Sequence, residues 1–369
     1  MSTVKFMIAS LILLVSLCSV LFSAEGEETK ATVEKRSSFI VLPVIYYSPE
    51  TRWAGGVGGI WSFRPGKSPE KGRPSFIPFT AIYTQNKQFM LNLSPEFYLG
   101  DGSTIIIGKL DLKKYPDKFY GIGNNTRLEM EESYTQRQVS FEISAQKKLW
   151  ANKDVFAGLY YGFDHYAFPG FEPEGQLVCG TITGSPGGTT SGLGIVLRRD
   201  NRDNVLFPTK GHLCQFSATI YSSVFGSEYN YRKLNADVRV YVPVFRTHVL
   251  AFQGVFRATS GTVPFMALAR LGSDGILRGY NSARYRDNTL AAIQVEYRLP
   301  VWWRFGMVGF AGYGQVADGI GRLKIGEFKY SVGLGIRFRI DPKEGTNIRL
   351  DFGFGKGSWG NYLTGGEAF

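Results

Sequence analysis

The sequence predicts an all-β chain, a transmembrane antiparallel β-barrel of about sixteen strands with an extracellular loop folded into its lumen. Three observations predict it. Apolar residues recur at every second position in one segment after another. Aromatic residues make up 15% of the chain, and its 45 glycines are about 12% against a usual ~7%. After residue 24 no apolar run is long enough to cross a membrane as a helix, which takes about 20 residues. A hydrophobic content of 44% with a mean hydropathy of −0.09 excludes both a helical membrane bundle and a disordered chain.

Residues 1–24 read as a secretory signal, with Lys5 ahead of an apolar run over 6–22 and Ala24 before the cut. Phe22 is bulkier than the residue usual at that place, and an uncleaved anchor helix is the alternative. Residues 25–37 are polar and too few for a domain. They are expected to form a short periplasmic segment, leaving the chain no client-binding module of its own before a barrel domain over 38–369.

Sixteen strand segments follow, over 38–47, 52–63, 74–84, 88–99, 103–114, 133–148, 154–167, 190–200, 210–225, 228–242, 247–259, 288–299, 304–316, 328–340, 346–355 and 360–369. Their lengths suit the ~9–11 residues of a tilted spanning strand. The stretch 329–340 is typical. Tyr330, Val332, Leu334, Ile336, Phe338 and Ile340 alternate with Lys329, Ser331, Gly333, Gly335, Arg337 and Arg339. Arginines and glycines opposite an apolar face suit a wet lumen with lipid outside. The long joins 115–132, 168–189 and 260–287 all follow odd-numbered strands and so share one end, the extracellular one if both termini are periplasmic.

The net charge of +11 comes without a basic cluster interleaved with aromatics, so nucleic acid is not an expected partner; outer-membrane lipid is. His165, His212 and His248 are scattered over three strands, and no Cys/His spacing suits a metal. No catalytic residue, metal or cofactor is assigned, and the chain does not read as an enzyme. Cys179 and Cys214 fall at opposite ends of the barrel, too far apart to bridge, and are expected as free thiols. Asp200 and Asp203 allow a metal pair, but before a Pro-Thr-Lys-Gly turn they read better as caps of backbone amides.

One pairing carries more information than the rest. Arg278 lies on the long join, and Glu296 lies on the next strand among its lumen-facing residues. A guanidinium left unpaired inside a barrel costs several kcal/mol, whereas an Arg–carboxylate pair can be bidentate. Arg278 is therefore expected to reach Glu296 and pin the loop in the lumen. Gly279 would permit the tight backbone there, and Tyr280 would pack on the wall. Two ordinary polar residues are the plain alternative.

Leu277-Arg278-Gly279-Tyr280 resembles the loop motif of the BamA/TamA superfamily of outer-membrane assembly factors, the bacterial surface antigen barrels. The resemblance extends to the turn from Arg199-Asp200-Asn201-Arg202-Asp203-Asn204 into Pro208-Thr209-Lys210-Gly211, and to Phe119-Tyr120-Gly121-Ile122-Gly123-Asn124. It includes the C-terminal Gly365-Gly366-Glu367-Ala368-Phe369, similar to the aromatic-ended last strand recognised for insertion. The resemblance implies an outer-membrane protein that assists insertion or translocation of proteins, with other outer-membrane or periplasmic proteins as partners. It also implies a seam between first and last strands that opens sideways, where Gly365-Gly366 weaken packing or merely relieve crowding. A passive channel or structural barrel is the alternative function, and an outer-membrane hydrolase a third. One departure stands out. The family tends to place an Asp within D-x-G on the thirteenth strand, whereas Gly312-Tyr313-Gly314 stands here, leaving a weaker clasp or a substitute such as Asp351.

Overall fold

The computed structural model describes residues 37–48, 52–65, 73–100, 102–150, 153–341 and 345–369; the readings for the signal and for 25–36 lie outside the described residues. The chain begins with β1 (Ser37–Ser48), β2 (Arg52–Phe63), β3 (Ser75–Thr84), β4 (Phe89–Leu93), β5 (Glu96–Leu99) and β6 (Thr104–Phe119). It continues through β7 (Glu132–Trp150), β8 (Lys153–Phe171), β9 (Gly188–Asp200), β10 (Gly211–Tyr221), β11 (Tyr231–Val244) and β12 (His248–Gly261). After the short β13 (Ala269–Leu271) and β14 (Tyr285–Asp287) come β15 (Thr289–Trp302), β16 (Phe305–Ala317), β17 (Lys329–Asp341), β18 (Thr346–Gly355) and β19 (Ser358–Gly365).

Each wall strand pairs antiparallel with the next in sequence, and β12 pairs directly with β15. The strands β4 and β5 are one wall strand interrupted at Ser94-Pro95. Proline lacks the N–H that the ladder needs, and both halves pair with β3 and β6. Counted this way the wall has sixteen strands.

Alternation decides which face meets lipid. On β17, Leu334 is 61% exposed and points outward, whereas Ser331 and Arg337 are buried on the inner face. Apolar residues therefore cover the outside and polar ones the lumen, the reverse of a soluble protein. Several strands outrun their expected ends. Strands β6 and β8 extend past 114 and 167, to Phe119 and Phe171, because Pro116 and Pro169 sit inside strands rather than ending them. Their extracellular ends rise with the loops around an apolar core of Phe119, Tyr134, Leu177, Phe265 and Leu268. Edge-to-face rings such as Phe119–Phe265, 5.5 Å apart, hold that roof together.

The opposite mouth is covered as well. The turn between β9 and β10 folds inward, and Val205 and Leu206 pack on Phe76, Tyr98, Ile105 and Phe156. At the end of the chain the expectation of a strand running to residue 369 is overturned. The strand stops at Gly365, Gly366 turns with φ +79°, and Phe369 is buried against Tyr241, Val249 and Ala251. Inside, the ring is desolvated and lies 5.6 Å from the Arg298 guanidinium.

Candidate functional site: the plug and the arginine cluster beneath it

The loop between β12 and β15 turns into the lumen, where β13 and β14 form a short hairpin at its base. Leu271, Ile276, Leu277, Tyr280 and Tyr285 then pack against Val255, Leu290, Ala292 and Val316 of the wall. Leu277 takes a positive φ of 50°, an uncommon conformation for a branched residue, and is almost wholly buried. Its Cδ1 fills the space left by missing side chains at Gly312 and Gly314.

Gly279 is required by two constraints at once. Its φ is +112°, and a Cβ would stand 2.7 Å from the backbone of Gly353 and Phe354. The converse holds on β18, where a Cβ on Gly353 would lie 2.5 Å from the Arg278 carbonyl carbon. A Cβ on Gly355 would strike the Tyr280 ring at 2.4 Å. The plug backbone thus lies flat on a strip of β18 that carries no side chains. Tyr280 donates its hydroxyl to the Tyr330 carbonyl at 2.9 Å and accepts from the Lys356 amide at 3.0 Å.

The Arg278 guanidinium points down, with Nη2 at 2.5 Å from Glu296 Oε1 and Nη1 at 2.5 Å from Asp351 Oδ2. All three side chains are buried. The guanidinium face stacks on Phe310, 3.6 Å from the ring centroid. Phe310 is the register partner of Glu296, so it stands on the thirteenth wall strand beside the guanidinium, where Gly312 does not. The second carboxylate comes instead from Asp351, two wall strands further on.

These carboxylates are shared. Arg298 reaches Glu296 at 3.0 Å, Arg337 reaches Asp351 at 2.5 Å, and Arg349 bridges Asp351 and Asp274 at 3.0 Å each. Glu367 of the inturned C-terminal tail accepts from Arg337 Nε at 2.9 Å. Four arginines and four carboxylates therefore form one network, and removal of any member leaves an opposite charge short of partners.

The turn residues occupy a second cluster at the other mouth. Asp200 receives Arg73 at 2.9 Å, Arg198 at 2.7 Å and Arg202 at 2.8 Å. Pro208 offers its carbonyl to Arg298 at 3.4 Å, and Gly211 opens β10 with φ +98°. Asp203 accepts from the amides of Asn204, Thr209 and Lys210, and from the Thr209 hydroxyl at 2.5 Å. Partial burial pushes the Asp203 carboxyl up, but these hydrogen bonds, led by the Thr209 hydroxyl, outweigh it and hold it below the usual carboxylate range. A carboxyl lowered on folding lends order above its unfolded pKa of about 3.9 and loses it as pH falls through the folded value. Protection of the 203–210 amides, taken relative to intrinsic exchange at each pH, should therefore hold at pH 5–7 and fall progressively below about pH 4. Asp203→Asn should abolish that acid step, and a step that persists in the variant would assign it elsewhere.

Sequence reasoning missed Phe310, Gly353, Gly355 and Tyr362, whose partners are distant in sequence. The Tyr362 hydroxyl accepts from the Gly279 amide at 2.9 Å and donates to the Tyr280 carbonyl at 3.0 Å. Cys179 and Cys214 are free thiols. Among the described residues no group of His, Cys, Asp and Glu is arranged to hold a metal.

No hydrogen-bonded register joins β1 to β19 among the described residues, although every other neighbouring pair of wall strands has one. Ser38 of β1 bonds Asp341 at the end of β17, at 3.2 Å.

Comparison with known proteins fits this geometry. The Omp85 superfamily domain matches residues 72–358. Among solved structures, BamA from Haemophilus ducreyi lacking POTRA domains 1–3 has a TM-score of 0.54 at 15% identity, covering 90% of this chain and 70% of that one. CdiB from Acinetobacter baumannii has a TM-score of 0.54 at 10% identity over 90% of this chain, and CdiB from Escherichia coli 0.53 at 11% over 91%. The chain spans 59% and 63% of those two CdiB chains. No curated protein matches it. With a family domain over most of its length and a lipid-facing barrel around an inturned loop, the chain belongs to the Omp85 superfamily and is an integral outer-membrane β-barrel.

Proposed function

We propose that this barrel assists the insertion or translocation of proteins at the outer membrane, without catalysing a covalent reaction. The observation that carries the proposal is the seam. Among the described residues the wall is laddered throughout except between β1 and β19, so two strand edges there are available to a client strand or to sideways opening. The Arg278–Glu296–Asp351 contact acts as a clasp that keeps the plug seated while the seam is closed. Asp200 and Arg202 hold the inturned turn across the periplasmic mouth, with Asp203, Pro208 and Gly211 shaping it. Gly365 and Gly366 let the closing strand end and turn at the seam. Phe369, packed inside once the barrel has folded, serves as a recognition signal only while the chain is still unfolded. Other outer-membrane or periplasmic proteins are the partners.

The test compares outer-membrane proteomes of cells with and without the protein. Other barrels should fall at least about twofold when it is missing. Unchanged levels, together with steady open pores in planar bilayers, would favour the passive channel. The apolar packing at both mouths argues against that reading.

A further inference from the structure

We infer that Tyr362 couples the plug to the closing strand, so that freeing β19 at the seam and unseating the Leu277–Tyr280 loop are one event. The inference rests on the proposal that the seam opens and names what regulates it. Tyr362 spends its single hydroxyl on two consecutive peptide groups of the plug, accepting from Gly279 and donating to Tyr280. Inside the lumen a backbone amide or carbonyl without a partner is costly, so these bonds hold the loop and not merely the side chain. Space for the hydroxyl is made on its own strand. A Cβ on Gly360 would stand 2.8 Å from it.

A second link runs from the same strand by way of its tail. Gly366 donates its amide to the Asn347 carbonyl at 2.7 Å, and Glu367 accepts from Asn347 at 2.5 Å and from Arg337 at 2.9 Å. Arg337 in turn holds Asp351, the carboxylate that receives Arg278. Among the described residues the closing strand is laddered on one side only, to β18. Of its remaining attachments the Tyr362 bonds go directly to the plug, and the tail reaches the plug's anchoring carboxylate through Arg337. Moving β19 outward breaks the Tyr362 bonds, and lifting the plug removes partners that keep β19 in place. Such coupling is reciprocal.

Other bonds to the plug do not have this property. Ser331 of β17 donates its hydroxyl to the Arg278 carbonyl, and β17 is laddered on both sides. The two bonds are chemically similar and differ in which strand they tie down.

Hydrogen–deuterium exchange of the purified full chain in detergent micelles separates them. Tyr362→Phe keeps the ring and removes only the hydroxyl. It should speed exchange roughly tenfold both in 276–284 and in 358–365, as expected for loss of two hydrogen bonds. Ser331→Ala should speed 276–284 alone. If Tyr362→Phe does not fold, Gly360→Ala displaces the hydroxyl while keeping it and should give the same paired pattern. The inference is overturned if the Tyr362 variant changes only one of the two segments, or if Ser331→Ala changes both equally. No client enters this measurement. A paired response in a protein whose removal leaves the outer-membrane proteome unchanged would keep the coupling and discard the assembly role.

Discussion

Arg278→Ala lowers the stability of the folded barrel by about 3–5 kcal/mol and opens the plug to protease, because it leaves buried charge without its partner. Glu296 and Asp351 are each fully buried and each give Arg278 a 2.5 Å contact. Neutralising those two carboxylates does not rescue the loss. Arg298, Arg337 and Arg349 draw on the same oxygens and would be orphaned in turn. Arg278→Lys keeps the charge but replaces a planar fork with a point donor, which cannot span both carboxylates or stack on Phe310. Its cost should fall between wild type and Ala. The heat-dependent shift of the folded band on a cold gel measures the effect, with limited proteolysis reporting the loop. An Ala variant that melts with the wild type and keeps its loop protected would remove the clasp from the account.

Gly279→Ala and Gly353→Ala should be nearly as damaging, for a different reason. The plug and β18 touch backbone to backbone, so one methyl group on either side meets main chain that cannot rotate away. Overpacking of this kind costs about 1–3 kcal/mol, and a left-handed conformation on a non-glycine residue adds about 1–2 kcal/mol at Gly279. Gly254→Ala is the control, since nothing lies within 4 Å of a Cβ there. All three barrels should form, but only the first two should show a protease-sensitive plug. Equal protection of all three would mean that the loop does not need to lie flat.

The wall was readable because a membrane barrel writes its two faces at a period of two, and each strand repeats the message. Leu334 facing lipid and Arg337 facing the lumen stand three positions apart, on opposite parities of one such pattern. Glu296 was readable for the same reason, since its inward direction follows from its place on β15. Strand ends were less so. Pro116 and Pro169 suggest termination, yet both sit inside strands that run on to Phe119 and Phe171. The Arg278 carboxylate partners Glu296 and Asp351 were both named from the sequence, but the surfaces around them lie beyond local reading. The stacking ring of Phe310 and the flat strip at Gly353 and Gly355 depend on how the loop crosses the lumen. The inward turn after Gly365 likewise follows from a burial site for Phe369 built by strands β11 and β12.

The inturned turn at 201–210 and the aromatic roof have a physiological consequence. Porins make an envelope permeable in proportion to their number, whereas a barrel stoppered at both ends adds no leak. Overproduction of this protein is therefore expected to leave small-solute uptake unchanged, which an uptake assay on cells carrying extra copies would check.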